Sequence, residues 1–162
     1  MTNELVDVME EQVMAPDHNG NIKKVLVAVD LSPHSERTAA YAAKLARVFG
    51  ASLTLINVCS PDRAAQVSNQ KDQRFGEPMI APEVELEQLA KRVRKIYPTC
   101  NAYLYVGDPA DKVAKVAEIL QADLIITASH HAGFLGRPIG LDHAQQILHR
   151  APCPVLVYQE PE

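Results

Sequence analysis

Asp123-Leu-Ile-Ile-Thr-Ala128, Ser129-His-His-Ala-Gly-Phe-Leu-Gly-Arg-Pro-Ile-Gly-Leu-Asp142, His143-Ala-Gln-Gln-Ile-Leu-His-Arg-Ala151 and Pro152-Cys-Pro-Val-Leu-Val-Tyr158 are consecutive phrases of one stretch. They read as a buried strand, a glycine-punctuated loop, a short helix and a last buried strand. The apolar runs are continuous, which suits strands covered on both faces of a parallel sheet. A loop leaving the carboxyl end of such a strand is where open α/β sheets bind ligands. The amino end of the helix that follows offers free N–H groups to an anion. The loop from Ser129 to Asp142 is therefore the first candidate site.

The same grammar repeats upstream. Val25-Leu-Val-Ala-Val29 is a β-branched run that ends at Asp30, and Ser32-Pro33 predicts an N-cap and first helical residue. Ala39, Ala42, Ala43, Ala46 and Phe49 mark the apolar face of the next helix, and Gly50 is placed to stop it. Ser52 to Val58 is a second strand. The polar span from Ser60 to Pro82, with Pro61, Gly76 and Pro78, predicts a long loop leaving the same sheet edge as the candidate site. Glu83 to Tyr97 predicts an amphipathic helix with Val84, Leu86, Leu89, Val93 and Ile96 among its apolar positions. Cys100 to Val106 is a third strand. Asp108-Pro109 caps a helix that turns Val113, Val116, Ala117 and Leu120 inward.

Five strands alternating with four helices predict an α/β three-layer sandwich around a five-stranded parallel sheet. The organisation is one domain over residues 22–158, preceded by a tail or short helix at 1–21 and followed by a tail at 159–162. Leu5, Val8, Met9 and Val13 would form the apolar face of that short helix; a frayed tail is the alternative.

Bulk properties narrow the function. The chain has 162 residues and a net charge of −4, with no basic surface of the kind nucleic acids require. Lys91, Arg92, Arg94 and Lys95 are dense but fall late in a helix, where cations complement the dipole. Three cysteines, Cys59, Cys100 and Cys153, are an odd count in apolar surroundings; they read as core thiols of a reducing compartment. No apolar stretch is long enough for a signal or a membrane span, so no membrane insertion is expected and the expected location is cytoplasmic. No catalytic residues are assigned. Ser32, His34 and Ser35 lie together but lack a nucleophile elbow or a paired acid and base. His130, His131, His143 and His149 lack metal-ligand spacing; the last two are six apart and face away from each other on a helix. No Gly-Lys-Ser/Thr of a phosphate-loop NTPase is present.

Val27-Ala-Val-Asp30-Leu-Ser32, Val106-Gly-Asp-Pro-Ala110, Ala122-Asp-Leu-Ile-Ile126 and His149-Arg-Ala-Pro-Cys-Pro-Val-Leu-Val157 together resemble the universal stress protein family, over about residues 22–158. The resemblance implies strand order 3-2-1-4-5, an adenine nucleotide alpha hydrolase-like fold. It also implies a homodimer paired through the last strand, at Val155, Leu156 and Val157. One branch of that family binds ATP or a related nucleotide through Gly, two residues, Gly, nine residues, then Gly and Ser or Thr. Laid onto this chain those positions fall on Ala128, His131, Leu141 and Asp142, and none matches. Side chains stand where bare backbone would approach phosphate. Asp142, read as the N-cap of the last helix, would take the N–H groups and positive dipole end that a phosphate needs.

Two readings follow from the resemblance. In the first, the chain is a homodimeric stress-response protein that acts by binding a regulatory partner, with a degenerate nucleotide loop and no cofactor. In the second, it is a sensor of ATP or AMP. There Asp30 and Val58 would hold the base, and Gly133, Gly136, Gly140 and Arg137 would form a shifted phosphate cradle. Nucleotide hydrolysis is a third reading that no residue set supports.

Overall fold

The computed structural model describes residues 20–62, 64–65, 81–129 and 141–159, with the main chain alone at 141 and 142. The elements in chain order are β1 (Lys24–Ala28), α1 (Ser35–Phe49), β2 (Ser52–Cys59), α2 (Pro82–Ile96), β3 (Cys100–Val106), α3 (Pro109–Leu120), β4 (Leu124–Ser129), α4 (Leu141–Arg150) and β5 (Val155–Gln159). The strands form one sheet in the order β3-β2-β1-β4-β5. Every pairing is parallel. Right-handed crossovers of β-helix-β units require helices between such strands, and the alternation supplies them.

β1 is central, and its sequence says why. Val25, Leu26 and Val27 are 2%, 1% and 0% exposed, so both sheet faces are covered. Each such side chain stabilises the fold by roughly 1.5–3 kcal/mol through burial. Val25 and Val27 pack in the layer formed with Ala39, Ala42, Ala43 and Ala46 of α1 and Leu86, Leu89 and Val93 of α2. Leu26 packs in the opposite layer with Val113, Val116 and Ala117 of α3 and Ile147 of α4. The small alanines let α1 lie close on the sheet.

Helix ends follow the local chemistry in most places. Gly50 takes φ 63° and its N–H reaches the Ala46 and Arg47 carbonyls, closing α1. Asp108 caps α3 by accepting the Asp111 N–H at 3.0 Å, with Pro109 first in the helix. Two expectations, the caps at Ser32 and Asp142, need correction. α1 starts at Ser35, and His34 occupies the cap position without a side-chain cap bond, so Ser32 is not the N-cap. Val84 and Ile96, at the two ends of α2, are 48% and 40% exposed, outside its core face. α4 begins at Leu141, which puts Asp142 inside the first turn and not at the cap. The span after β2 begins with helical backbone at residues 61, 62, 64 and 65, where the Ala64 N–H bonds the Ser60 carbonyl at 3.1 Å.

Candidate functional site at the carboxyl edge of the sheet

The strand order reverses direction between β1 and β4: the chain runs outward to β2 and β3 on one side and to β5 on the other. The crevice at that switch point is the ligand-binding position of open α/β sheets. The register fixes what stands there. Ala28 pairs Ile56 and Val27 pairs Ile126. Carried forward at the same offsets, Asp30 stands level with Val58 on β2 and Ser129 on β4. Asp30 is exposed, while Val58 and Ser129 are half-buried. Tyr105 and Ala28 join Val58 in packing against the α3 and α4 layer. On the far side the Gly107 N–H bonds the Cys59 carbonyl at 3.0 Å, closing the edge between β2 and β3.

Asp30 is held before any ligand arrives. Its Oδ1 accepts the Ser32 N–H at 2.9 Å and the Ser35 hydroxyl at 2.8 Å. Leu31 between them takes φ 61°, a left-handed conformation that an L side chain rarely adopts. That turn accounts for the displaced helix start. The chain reverses at Leu31, the Ser32 carbonyl accepts a turn bond from the Ser35 N–H at 3.0 Å, and the Asp30 carboxylate takes the Ser32 N–H and the Ser35 hydroxyl. A carboxylate at this helix start complements the dipole of α1 and repels a second anion. The edge beside Asp30 therefore favours an uncharged group with hydrogen-bond donors, such as an exocyclic amine, and disfavours phosphate.

Beneath the same turn lies Asn57, 3% exposed, whose Nδ2 donates to the Val29 carbonyl at 2.7 Å. The sequence expectations do not include it. The available signal is an amide at a core-facing position in Leu55-Ile-Asn-Val-Cys59, a run otherwise apolar.

The structure thus brings Asp30 and Val58 together and adds Ser35 and Asn57 around them. Gly133, Gly136, Arg137 and Gly140, together with His130 and His131, lie outside the described residues. Among the described residues no group of three His, Cys, Asp or Glu is placed to hold a metal ion. No helix among them is long and apolar enough to cross a membrane.

Comparison with known proteins agrees with this architecture. The model of the universal stress protein family matches residues 21–159. The "Universal stress protein in QAH/OAS sulfhydrylase 3'region" of Thermus aquaticus is 29% identical over 144 residues, covering 83% of this chain and 97% of that protein. A universal stress protein solved in complex with cAMP superposes with a TM-score of 0.64 at 20% identity, over 86% of this chain and 98% of that one. One from Archaeoglobus fulgidus, solved in complex with dAMP, gives a TM-score of 0.57 at 22% identity over 85% and 98%. The sheet order with its switch point between β1 and β4 and a family match over residues 21–159 lead to one conclusion: this chain belongs to the universal stress protein family.

Proposed function

We propose that this chain is a stress-response protein that acts by binding an adenine nucleotide, without turnover, as a homodimer in the cytoplasm. The observation that carries the reading is the register that sets Asp30 level with Val58 just past the end of β1, with the Asp30 carboxylate already oriented by Ser32 and Ser35. An exocyclic amine of adenine is a donor that such a carboxylate accepts, and the half-buried Val58 offers an apolar seat beside it. The cAMP and dAMP complexes of structural neighbours support a nucleotide over a purely protein-binding role.

The phosphate side of the reading rests on sequence. Gly133, Gly136, Gly140 and Arg137 would take the α-phosphate in a phase shifted from the family pattern, because Ala128, His131, Leu141 and Asp142 stand at the pattern's positions. Such an arm gives little to further phosphates, so ATP gains no affinity over AMP or cAMP. Pairing of Val155, Leu156 and Val157 across a two-fold axis would cover β5, which is an edge strand of the sheet.

The test is titration calorimetry with AMP, cAMP and ATP, alongside mass spectrometry of nucleotide retained on purification. AMP and cAMP should bind, ATP no tighter. Asp30→Asn keeps an acceptor for Ser32 and Ser35 and removes the charge; it should weaken AMP by about tenfold or more. No heat with any of the three and no retained nucleotide would overturn the nucleotide reading and leave binding to a regulatory protein as the function.

A further inference from the structure

We propose that Asn57 is the positioning residue of this edge: from beneath the sheet-to-helix turn it fixes Val29 and thereby aims the Asp30 carboxylate. This rests on the nucleotide reading for its ligand and on the geometry of the turn for its mechanism.

Val29 is the last residue before Asp30, and both of its main-chain polar groups are committed to β2. Its N–H bonds the Ile56 carbonyl at 2.9 Å, which is the last rung of the backbone ladder. Its carbonyl has no backbone donor in that ladder and takes the Asn57 Nδ2 at 2.7 Å. The side chain of β2 thus continues the ladder one step beyond where the main chain stops. Asp30, Leu31 and Ser32 follow at once. A left-handed Leu31 persists only where its surroundings over-determine it. The constraints are the clamp on Val29 behind it and the two bonds to Asp30 Oδ1 around it.

The orientation of the amide is fixed by chemistry, since the flipped form would set Oδ1 against a carbonyl oxygen. That orientation has a cost. Asn57 Oδ1 is buried and accepts no hydrogen bond. The other such oxygen among the described residues is Ser32 Oγ, in the same turn. A leucine would bring no unpaired acceptor of its own, but it would take the donor away from the buried Val29 carbonyl. What only the amide supplies is the bond to Val29. The side chain faces the α1 and α2 layer, because Leu55 and Leu53, two and four positions before it, pack there. Val58 faces the opposite layer. Asn57 therefore supports the edge from behind and does not touch a ligand seated beside Val58.

The experiment compares wild type with Asn57→Leu, which keeps the branching pattern of the side chain and loses the donor. Asn57→Val, smaller and suited to a strand, also loses the donor and serves if the leucine variant fails to fold. Two readouts are taken well below the unfolding midpoint: amide hydrogen exchange at Ser32 without ligand, and AMP affinity by calorimetry. Both should change, with faster exchange at Ser32 and AMP weakened by about tenfold. Unchanged exchange overturns the positioning role whatever the ligand. Faster exchange with unchanged AMP affinity overturns the link from turn to ligand. A wild type that binds no AMP sinks the nucleotide reading and the ligand half of this inference, and exchange at Ser32 alone then decides whether Asn57 holds the turn.

Discussion

The hydroxyl of Ser35 donates to the carboxylate of Asp30 at 2.8 Å, and the same Oδ1 accepts the Ser32 N–H at 2.9 Å. One end of the bond is exposed and the other is 4% exposed, so the first buried residue of α1 reaches out to set the direction of an edge carboxylate. Preorganisation of this kind lowers the ordering cost that a ligand would otherwise meet. Ser35→Ala fits the same space and removes one donor. It should lower stability by about 1 kcal/mol in urea denaturation, the usual net worth of such a bond. A denaturation midpoint equal to wild type would mean that water replaces the hydroxyl without loss, and that the Ser35 bond is not what holds Asp30.

Gly107 and Gly50 offer a controlled comparison at the two kinds of helix and strand end. Gly50, at φ 63°, has open space where a Cβ would go. Gly107, at φ 147°, would place a Cβ 2.8 Å from Cε of Lys112. The lysine stem is flexible and yields, so the larger difference is conformational: the region near Gly107 admits almost no residue with a Cβ, whereas single left-handed residues near φ 60° are tolerated. Gly50→Ala should cost about 1 kcal/mol. Gly107→Ala should cost about 1–3 kcal/mol, and it should also weaken the edge that Gly107 closes on Cys59. Equal midpoints for the two variants would mean that the turn at Gly107 relaxes and is not a fixed part of the edge.

Much of the fold is legible because its signals are local. Val25 to Val29 reads as a doubly covered strand, and Asp108-Pro109 and Gly50 read as helix ends, since each depends on a few adjacent residues. Ser32-Pro33 carries the same local signal and misleads. There, Leu31 turns the chain in a left-handed conformation, Asp30 binds the Ser32 N–H and the Ser35 hydroxyl, and the helix starts only at Ser35. Nonlocal bonds leave no pattern at all. Asp123 accepts the N–H groups of Lys23 and Lys24 at 2.8 and 2.9 Å, anchoring the start of β1 from a residue about one hundred positions later. The site divides in the same way. Asp30 and Val58 stand at strand ends, where register alone brings them together. Asn57 acts across strands through its side chain, and only coordinates connect it to Val29.

Cys100 gives a prediction in pH. Burial pushes its thiol up from 9.0 to about 11, with nearby Arg94 pulling it down and Glu87 pushing it up by smaller amounts. The unfolded chain releases the thiol proton near the ordinary value, and the folded protein holds it two units longer. Between those values the unfolded state binds fewer protons, so stability falls as pH rises from about 9 to about 11 and is unaffected below. Tyrosines and lysines titrate in the same window, so the informative quantity is the difference from Cys100→Ala. The variant's midpoint should be lower than wild type at pH 8 because of the lost packing, and the gap should narrow by pH 11. A constant gap across that range would show that the thiol ionises equally readily in both states.

The last strand decides how a dimer should be tested. β5 pairs with β4 on one side and is the edge of the sheet on the other. Its faces differ. Leu156 and Tyr158 pack against the core layer of α1, where the Tyr158 ring stacks on Tyr41 with centroids 4.8 Å apart. Val155 packs on the opposite layer, and Val157 is 36% exposed. Leu156→Asp would therefore put a charge against the subunit's own core, and loss of a dimer in that variant would not separate association from folding. Val157→Asp places the charge at the exposed position. If two copies pair along β5, two carboxylates meet across the axis, and the variant should run as a monomer in multi-angle light scattering while its thermal midpoint stays close to that of an unpaired subunit. Val157→Thr, which keeps β-branching and adds no charge, should remain dimeric. A Val157→Asp protein that still scatters as a dimer would remove this strand from the interface, and a wild type that scatters as a monomer would leave β5 an uncovered edge.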